Sequence, residues 1–245
     1  MALDLSSVAL QWAERGWLPE PALRLGIRRL LRERLDETRH QDPEGAAALT
    51  QAFLASLRAA PLALHTDKAN EQHYELPPAL FEAMLGPQRK YSCCWWPEGV
   101  SSLEAAEEAA LAETAARAGL ADGQRILELG CGWGSLSLWM AAHYPNASIL
   151  AVSNSASQRA FIEAQARARG LGNLRVLTCD FNAFGEDGAH DGQFDRVVSV
   201  EMFEHLRNWP QAFAKVARWL RDDGRFFMHV FVHREAPYAF EARDA

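Results

Sequence analysis

Three side chains that can move or hold a proton stand close together at Glu201, Glu204 and His205, in the stretch VSVEMFEHLRNW. If the chain turns helical after Val200, they fall at i, i+3 and i+4 and share one face. Two carboxylates and an imidazole on one face are costly unless paired or used. Imidazole is the side chain type that titrates near neutrality, which makes His205 the natural general base, while the glutamates could hold a cation or orient the ring. A structural ion-pair cluster would draw on the same residues. Glu and His at i, i+4 could also ligate a metal, but the sequence offers no third ligand nearby, so no metal is expected.

A second constellation lies upstream in ELGCGWG: Glu128, then Gly130, Gly132 and Gly134. Glycines at this density let the backbone turn sharply and approach a ligand closely. A plain strand-to-helix turn is the alternative, though it needs fewer of them. A dinucleotide fingerprint would read G-x-G-x-x-G/A with an acid about 20 residues on. Here Ser135 takes the last glycine position and Ser153-Asn154 stands where the acid belongs, which disfavours nicotinamide and flavin. Asn154 and Gln158 follow the next apolar run. Ser155 with Gln158 also spells a capping box, so Gln158 can close a helix start, touch a ligand, or both. Asp180 ends a third apolar run, as an acceptor for an exocyclic amine or as a turn cap.

These residues need a frame. From residue 101 short apolar runs alternate with helical patterns: RILELG (125–130), SILAVS (148–153), LRVLTCD (174–180), FDRVVSV (194–200) and RFFMHVFVH (225–233). SLSLWMAAHY, SASQRAFIEAQARARG and PQAFAKVARWLR lie between most of them. Ser101 with Glu104 predicts a capping box for an alanine-rich helix stopping near Gly119. Near-continuous apolar strands separated by helices predict an α/β fold, a doubly wound parallel sheet covered on both faces. Ligands in such sheets bind beyond the carboxyl ends of the strands, at the switch point. Both constellations sit at strand ends. Residues 1–66 read as an N-terminal helical region, with Leu23, Ile27, Leu30, Leu31 and Leu35 at near-helical spacing among arginines. It is expected to pack as an accessory region, the other reading being a basic amphipathic helix at a membrane or acidic partner.

Lys plus Arg is 25 against 32 for Asp plus Glu, a net charge of −7, which argues against nucleic acid as a partner. Four cysteines, at 93, 94, 131 and 179, form no C-x-x-C pair, so neither a disulfide framework nor a structural zinc site is expected. The start carries no basic n-region and no run approaches the ~18 apolar residues of a spanning helix. A reducing, cytoplasmic location is the expectation.

The glycine run behind an acid resembles motif I of class I S-adenosylmethionine-dependent methyltransferases. Taken with NEQHYELP, KYSCCWW, SNSASQ and EMFEHLRNW, in that order, residues 70–238 resemble the cyclopropane-fatty-acid synthase and coclaurine N-methyltransferase superfamily. The resemblance implies a Rossmann-like class I methyltransferase fold and S-adenosylmethionine as cofactor. It implies that Tyr91 and Ser92 cover the cofactor, and that Gly130, Gly132 and Gly134, behind Glu128, face its methionine and ribose. Asn154 and Gln158 would replace the usual acidic ribose ligand, and Asp180 with Phe181 would hold the adenine. Gln72, His73 and Tyr74 would belong to a lid, so that 1–66, 67–100 and 101–245 divide into helical extension, covering segment and core.

Two chemistries occur in that superfamily. Cyclopropane synthases act on unsaturated lipid carbons with a bound bicarbonate as base, usually without an acid where Glu201 stands. The EMFEH and YSCC stretches lean instead to N-methylation of a small amine, with Glu201, Glu204 and His205 as the catalytic set. The family's fold continues past the fifth strand, whereas this chain stops about a dozen residues beyond it. The expectation is therefore a fragment with an uncovered apolar edge strand, open to self-association. An inactive cofactor-binding module is the third reading.

Overall fold

The computed structural model describes residues 5–38, 43–63 and 78–233. Contacts divide the chain into two units, one of residues 1–56 with 232–245, the other of residues 57–231. The first contains helices α1 (Leu5–Glu14), α2 (Glu20–Thr38) and most of α3 (Pro43–Ala59). Along α2, Arg24 pairs with Glu20 and Arg29 with Glu33, each one turn apart. Leu25, Ile27, Leu30, Leu31 and Leu35 of the same helix are exposed.

The second unit runs α4 (Pro78–Met84), α5 (Leu103–Ala118), β1 (Arg125–Leu129), α6 (Ser135–His143), β2 (Ser148–Ser153), α7 (Ala156–Ala168), β3 (Leu174–Thr178), β4 (Phe194–Val200), a 3₁₀ turn (Phe203–His205), α8 (Trp209–Trp219) and β5 (Leu220–His229). The five strands are all parallel, in the order β3-β2-β1-β4-β5. The chain winds outward from β1 to β3, then returns to the other side of β1, so the switch point lies between β1 and β4. The second unit is thus the doubly wound sheet expected from the alternation of runs.

Alternation along β1 assigns its faces. Ile126 packs with Leu111, Leu136 and Met140 of α5 and α6, while Leu127 and Leu129 join Phe203, Val216 and Trp219 on the opposite side. All three β1 side chains are buried, each worth about 1.5–3 kcal/mol relative to exposure. Glu128 shares the face of Ile126, so the sheet itself carries a carboxylate into the interior beneath α6. No helix among the described residues is long and apolar enough to cross a membrane.

Local expectations are corrected at three places. The cap of α5 is Ser102, whose hydroxyl accepts from Ala105 N, and not Ser101; two adjacent serines left the register open, and Glu104 closes no box. The fifth strand begins at Leu220 and ends at His229, with a register shift between the pairs Phe194–Leu220 and Arg196–Arg225. The segment after Val200 does not continue as a helix through Glu201, because Glu201 takes a left-handed backbone (φ 53°) before the short 3₁₀ turn.

Candidate active site

A cavity of about 230 Å³ opens at the carboxyl end of the sheet, at the switch point. Its wall is drawn from the 89–92 loop, Leu111 and Thr114 of α5, the end of β1 with the glycine turn, the start of α6, the segment after β4, and Phe231. Of the residues singled out by sequence, it brings together Tyr91, Ser92, Glu128, Gly130, Gly132, Glu201 and His205.

Glu128 is 4% exposed and accepts the hydroxyl of Ser137, one turn into α6. Burial pushes its carboxyl up to about 7, against the opposing pull of that hydrogen bond. Burial, with Glu128 nearby, also raises the neighbouring Cys131 thiol. Above Glu128 the chain leaves β1 through Gly130 at φ 76°, where a Cβ would lie 2.7 Å from Met202 Cβ. The missing side chain is what lets the segments after β1 and β4 come together. Gly132, at φ 51°, would meet nothing within 4 Å and borders open space. Gly134 is different: it is buried behind the turn, where a Cβ would sit 2.6 Å from Ile162 Cγ1, so it serves packing of α6 on α7.

The 86–92 loop is fastened from below. Glu107 on α5, fully buried, accepts the backbone N–H of Gln88 at 2.9 Å and of Lys90 at 3.2 Å. Phe81 of α4 packs edge-on against Tyr91 and tilts against Trp133 of the glycine turn. The buried Lys90 donates from Nζ to Ser92 Oγ at 2.5 Å. Desolvation lowers its pKa, opposed by the nearby Cys93, Cys94, Glu201 and Glu107.

Beyond β4, the Glu201 N–H donates to the His229 carbonyl at 2.8 Å, continuing the β4–β5 pairing, and the Glu201 carboxylate accepts the Cys93 N–H at 3.4 Å. Glu204 turns elsewhere: its Oε1 accepts the Phe231 N–H at 3.3 Å. Its other oxygen is buried without a hydrogen-bond partner among the described residues. Burial raises the Glu204 carboxyl, and the Glu201 charge adds to the rise. Glu201 and His205 border the cavity, so these two, rather than a three-residue helical face, meet there.

Gly134, Asn154, Gln158, Asp180, Phe181 and Glu204 do not line this cavity. Gln158 is capped at its N–H by Ser155 Oγ, and its Oε1 accepts from Ser153 Oγ at 2.7 Å, so it does not reach back to close a box. Its Nε2 is buried without a partner among the described residues. Asp180 accepts the N–H of Asn182 at 2.7 Å in a turn, and Phe181 packs edge-on to Phe203 and Trp219. Gln72, His73 and Tyr74 lie outside the described residues.

Several residues of the site escaped the sequence reading. Lys90 directly precedes Tyr91, and a lysine abutting an aromatic site loop was the available signal. Ser135 lines the cavity with a hydroxyl that has no partner among the described residues, and Trp133 lines it too. Glu107 gave no local signal, since its partners lie 17 and 19 residues upstream.

The mycolic acid cyclopropane synthetase family profile matches residues 64–243. The chain is 33% identical over 235 residues to (S)-coclaurine N-methyltransferase of Thalictrum flavum subsp. glaucum, covering 96% of this chain and 64% of that protein. It is 38% identical over 161 residues to cyclopropane-fatty-acyl-phospholipid synthase of Escherichia coli K12, covering 65% of this chain and 39% of that one. A crystal structure of coclaurine N-methyltransferase bound to N-methylheliamine and SAH matches with a TM-score of 0.91 at 33% identity, over 97% of this chain and 67% of that chain. The chain thus spans just under two thirds of the length of the first of these relatives. The parallel sheet, its switch-point cavity and the family match agree: the fold is that of the class I S-adenosylmethionine-dependent methyltransferases, and the chain belongs to the mycolic acid cyclopropane synthetase family.

Proposed function

We propose that this chain is an S-adenosylmethionine-dependent methyltransferase acting on the nitrogen of a small amine. The observation that carries the reading is the meeting of Glu201 and His205 with Glu128 and the glycine turn in one cavity at the switch point. The chain's own features fit the cofactor. Gly132 leaves backbone open to close approach, and Ser135 Oγ and Gln158 Nε2 are buried polar atoms without partners among the described residues, each costing about 1–3 kcal/mol until satisfied. At about 230 Å³ the cavity is smaller than the ~300–1,000 Å³ of typical ligand sites. It suits one end of an elongated ligand, whose other end would extend along the sheet edge towards Asn154, Gln158, Asp180 and Phe181.

In this reading Tyr91, Ser92, Glu128, Gly130 and Gly132 hold the amino-acid end. Gly134 supports the turn from behind. When bound, S-adenosylmethionine supplies an electrophilic methyl group on a sulfonium. An ammonium has no lone pair, so the acceptor must lose a proton before it can attack. Glu201, fixed by the Cys93 N–H, offers a carboxylate to the incoming ammonium. The His205 imidazole takes the proton and frees the nitrogen lone pair. Glu204, with its raised pKa, orients the segment through the Phe231 N–H. The four described thiols are unpaired, in keeping with a reducing cytoplasmic setting.

A second reading, methylene transfer to lipid acyl chains, draws on the 38% identity to the bacterial cyclopropane synthase. Glu201 weighs against it, because a bicarbonate base placed beside this carboxylate would meet like charge.

Calorimetric titration with S-adenosylmethionine, followed by turnover with an amine panel, tests the reading. Saturable one-to-one binding is expected, with turnover abolished in Glu204→Ala and His205→Ala while cofactor affinity is kept. Undiminished turnover in both variants would overturn the catalytic assignment. Transfer to anionic unsaturated vesicles with none to amines would favour the lipid reading.

A further inference from the structure

Glu201 has neighbours that amine chemistry does not use. The Cys93 thiol, a Glu201 carboxylate oxygen and a His229 ring nitrogen all lie within 4.8 Å of one another. We propose that Cys93, Glu201 and His229 form a site for a thiophilic divalent cation, zinc above all, at the mouth of the cavity.

Ligand chemistry comes first. A thiolate, an imidazole and a carboxylate are the three donor types that zinc takes, and the set resembles the three-protein-ligand sites that leave a fourth position open. With zinc–ligand bonds of about 2.0–2.3 Å, tetrahedral neighbours lie about 3.3–3.8 Å apart. Closing from 4.8 Å therefore asks for roughly an ångström of side-chain movement, within reach of rotamer adjustment at an exposed cysteine.

The second support is the backbone that brings the ligands together. They come from three segments far apart in sequence, and main-chain bonds tie them to each other: Glu201 N–H to His229 O, and Cys93 N–H to the Glu201 carboxylate. Glu201 and Arg89 are the only non-glycine residues with positive φ among the described residues. Such a conformation persists only where surrounding contacts fix it, so the carboxylate is presented in one place. Thiolate and carboxylate together neutralise a divalent ion, with His229 as neutral donor. Lys90 is a nearby cation, and its ammonium is engaged by the Ser92 hydroxyl.

Glu201 borders the cavity, so a cation held there withdraws the carboxylate from the amine and obstructs the entrance. The site is then inhibitory, a consequence that rests on the amine reading, whereas metal binding itself does not.

Cobalt(II) titration of the purified, reduced 245-residue chain, without cofactor or substrate, tests the site. One equivalent should produce a thiolate-to-cobalt charge-transfer band and intense tetrahedral visible bands, both displaced by zinc. Cys93→Ser, at an exposed position where the fold is not at stake, should abolish the charge-transfer band and weaken binding at least tenfold. Cys94→Ser should keep both, and His229→Gln should weaken binding at least tenfold. A charge-transfer band that survives Cys93→Ser, vanishes instead in Cys94→Ser, or never forms would overturn the proposal. In the methyl-transfer assay, zinc should inhibit the parent chain reversibly and leave Cys93→Ser unaffected. Lack of amine turnover in every variant would count against the amine reading alone, since the cobalt spectrum does not depend on it.

Discussion

The Glu107 carboxylate accepts the Lys90 backbone N–H at 3.2 Å, so a buried side chain that does not itself line the cavity fixes the loop that does. The same carboxylate accepts Gln88 N–H, and Gly86 packs so closely on it that no side chain would fit between them. Charge-assisted hydrogen bonds of this kind contribute about 1.5–3 kcal/mol each. Glu107→Ala is therefore expected to release the 86–92 loop, lowering the thermal midpoint and weakening cofactor binding at least tenfold. Gly86→Val should reproduce both effects by pushing the carboxylate away. Limited proteolysis provides the check: new cleavage between residues 86 and 96 is expected in both variants, and an unchanged digest would refute the role.

Glu128 makes stability depend on pH in a direction opposite to most carboxylates. Its folded pKa is raised from 4.5 to about 7 by burial. The folded state thus binds more protons than the unfolded state between those values, and stability falls as pH rises through the window. The contribution is fully present below about 4.5, and roughly 3 kcal/mol of it is gone above about 7. Urea unfolding at about pH 5 and about pH 8 should show this loss in the parent chain and a much flatter dependence in Glu128→Gln. For a cationic ligand the sign reverses: affinity should rise with pH through about 7 as the carboxylate ionises. Parallel pH profiles for the parent and Glu128→Gln would contradict the assignment.

Gly134 and Gly132 should respond oppositely to a methyl group. Ala at Gly134 would force a Cβ to within 2.6 Å of Ile162 Cγ1 at φ 79°, combining overpacking of about 1–3 kcal/mol with left-handed strain of about 1–2 kcal/mol. Ala at Gly132 meets nothing within 4 Å and incurs only the strain. Gly134→Ala should therefore lower stability more, while Gly132→Ala should lower cofactor affinity more. Adding Ile162→Ala to Gly134→Ala should cost less than the sum of the two single changes, a coupling that a double-mutant cycle measures.

What could be read in advance follows the range of the interactions. The five strands, the helices between them and the switch point follow from local periodicity, and Glu128, Gly130 and Gly132 from their place at a strand end. The turn after β4 departs from the helix that local spacing predicts, because Glu201 adopts a backbone that propensity disfavours and that the Cys93 and His229 contacts sustain across 108 and 28 residues. Gln158 was legible as a helix-start residue, but its bond to Ser153 Oγ and its orphan Nε2 depend on how β2 meets α7. The Glu107 clasp and the approach of Cys93 to His229 are set wholly by tertiary packing, where no spacing rule operates.

Lys90 separates stability from function. The residue is 6% exposed and its Nζ bonds to a hydroxyl, with carboxylates and thiols near enough to oppose the lowering of its pKa but not to cancel it. With the folded pKa below 10.5, the unfolded state binds more protons at alkaline pH, and stability rises as pH climbs towards that value. At neutral pH the buried ammonium is a net cost, and methionine fills similar volume without it. Lys90→Met is expected to raise the thermal midpoint by about 2–4 °C, the shift of a 1 kcal/mol gain in a domain of this size. It should also flatten the alkaline rise in stability. Cofactor affinity should fall in the same variant, because Ser92 loses the donor that fixes its hydroxyl at the cavity wall. A variant that is less stable at neutral pH would mean that the lysine's hydrogen bond outweighs its desolvation; one that is more stable and binds equally well would remove Ser92 from the cofactor's contacts.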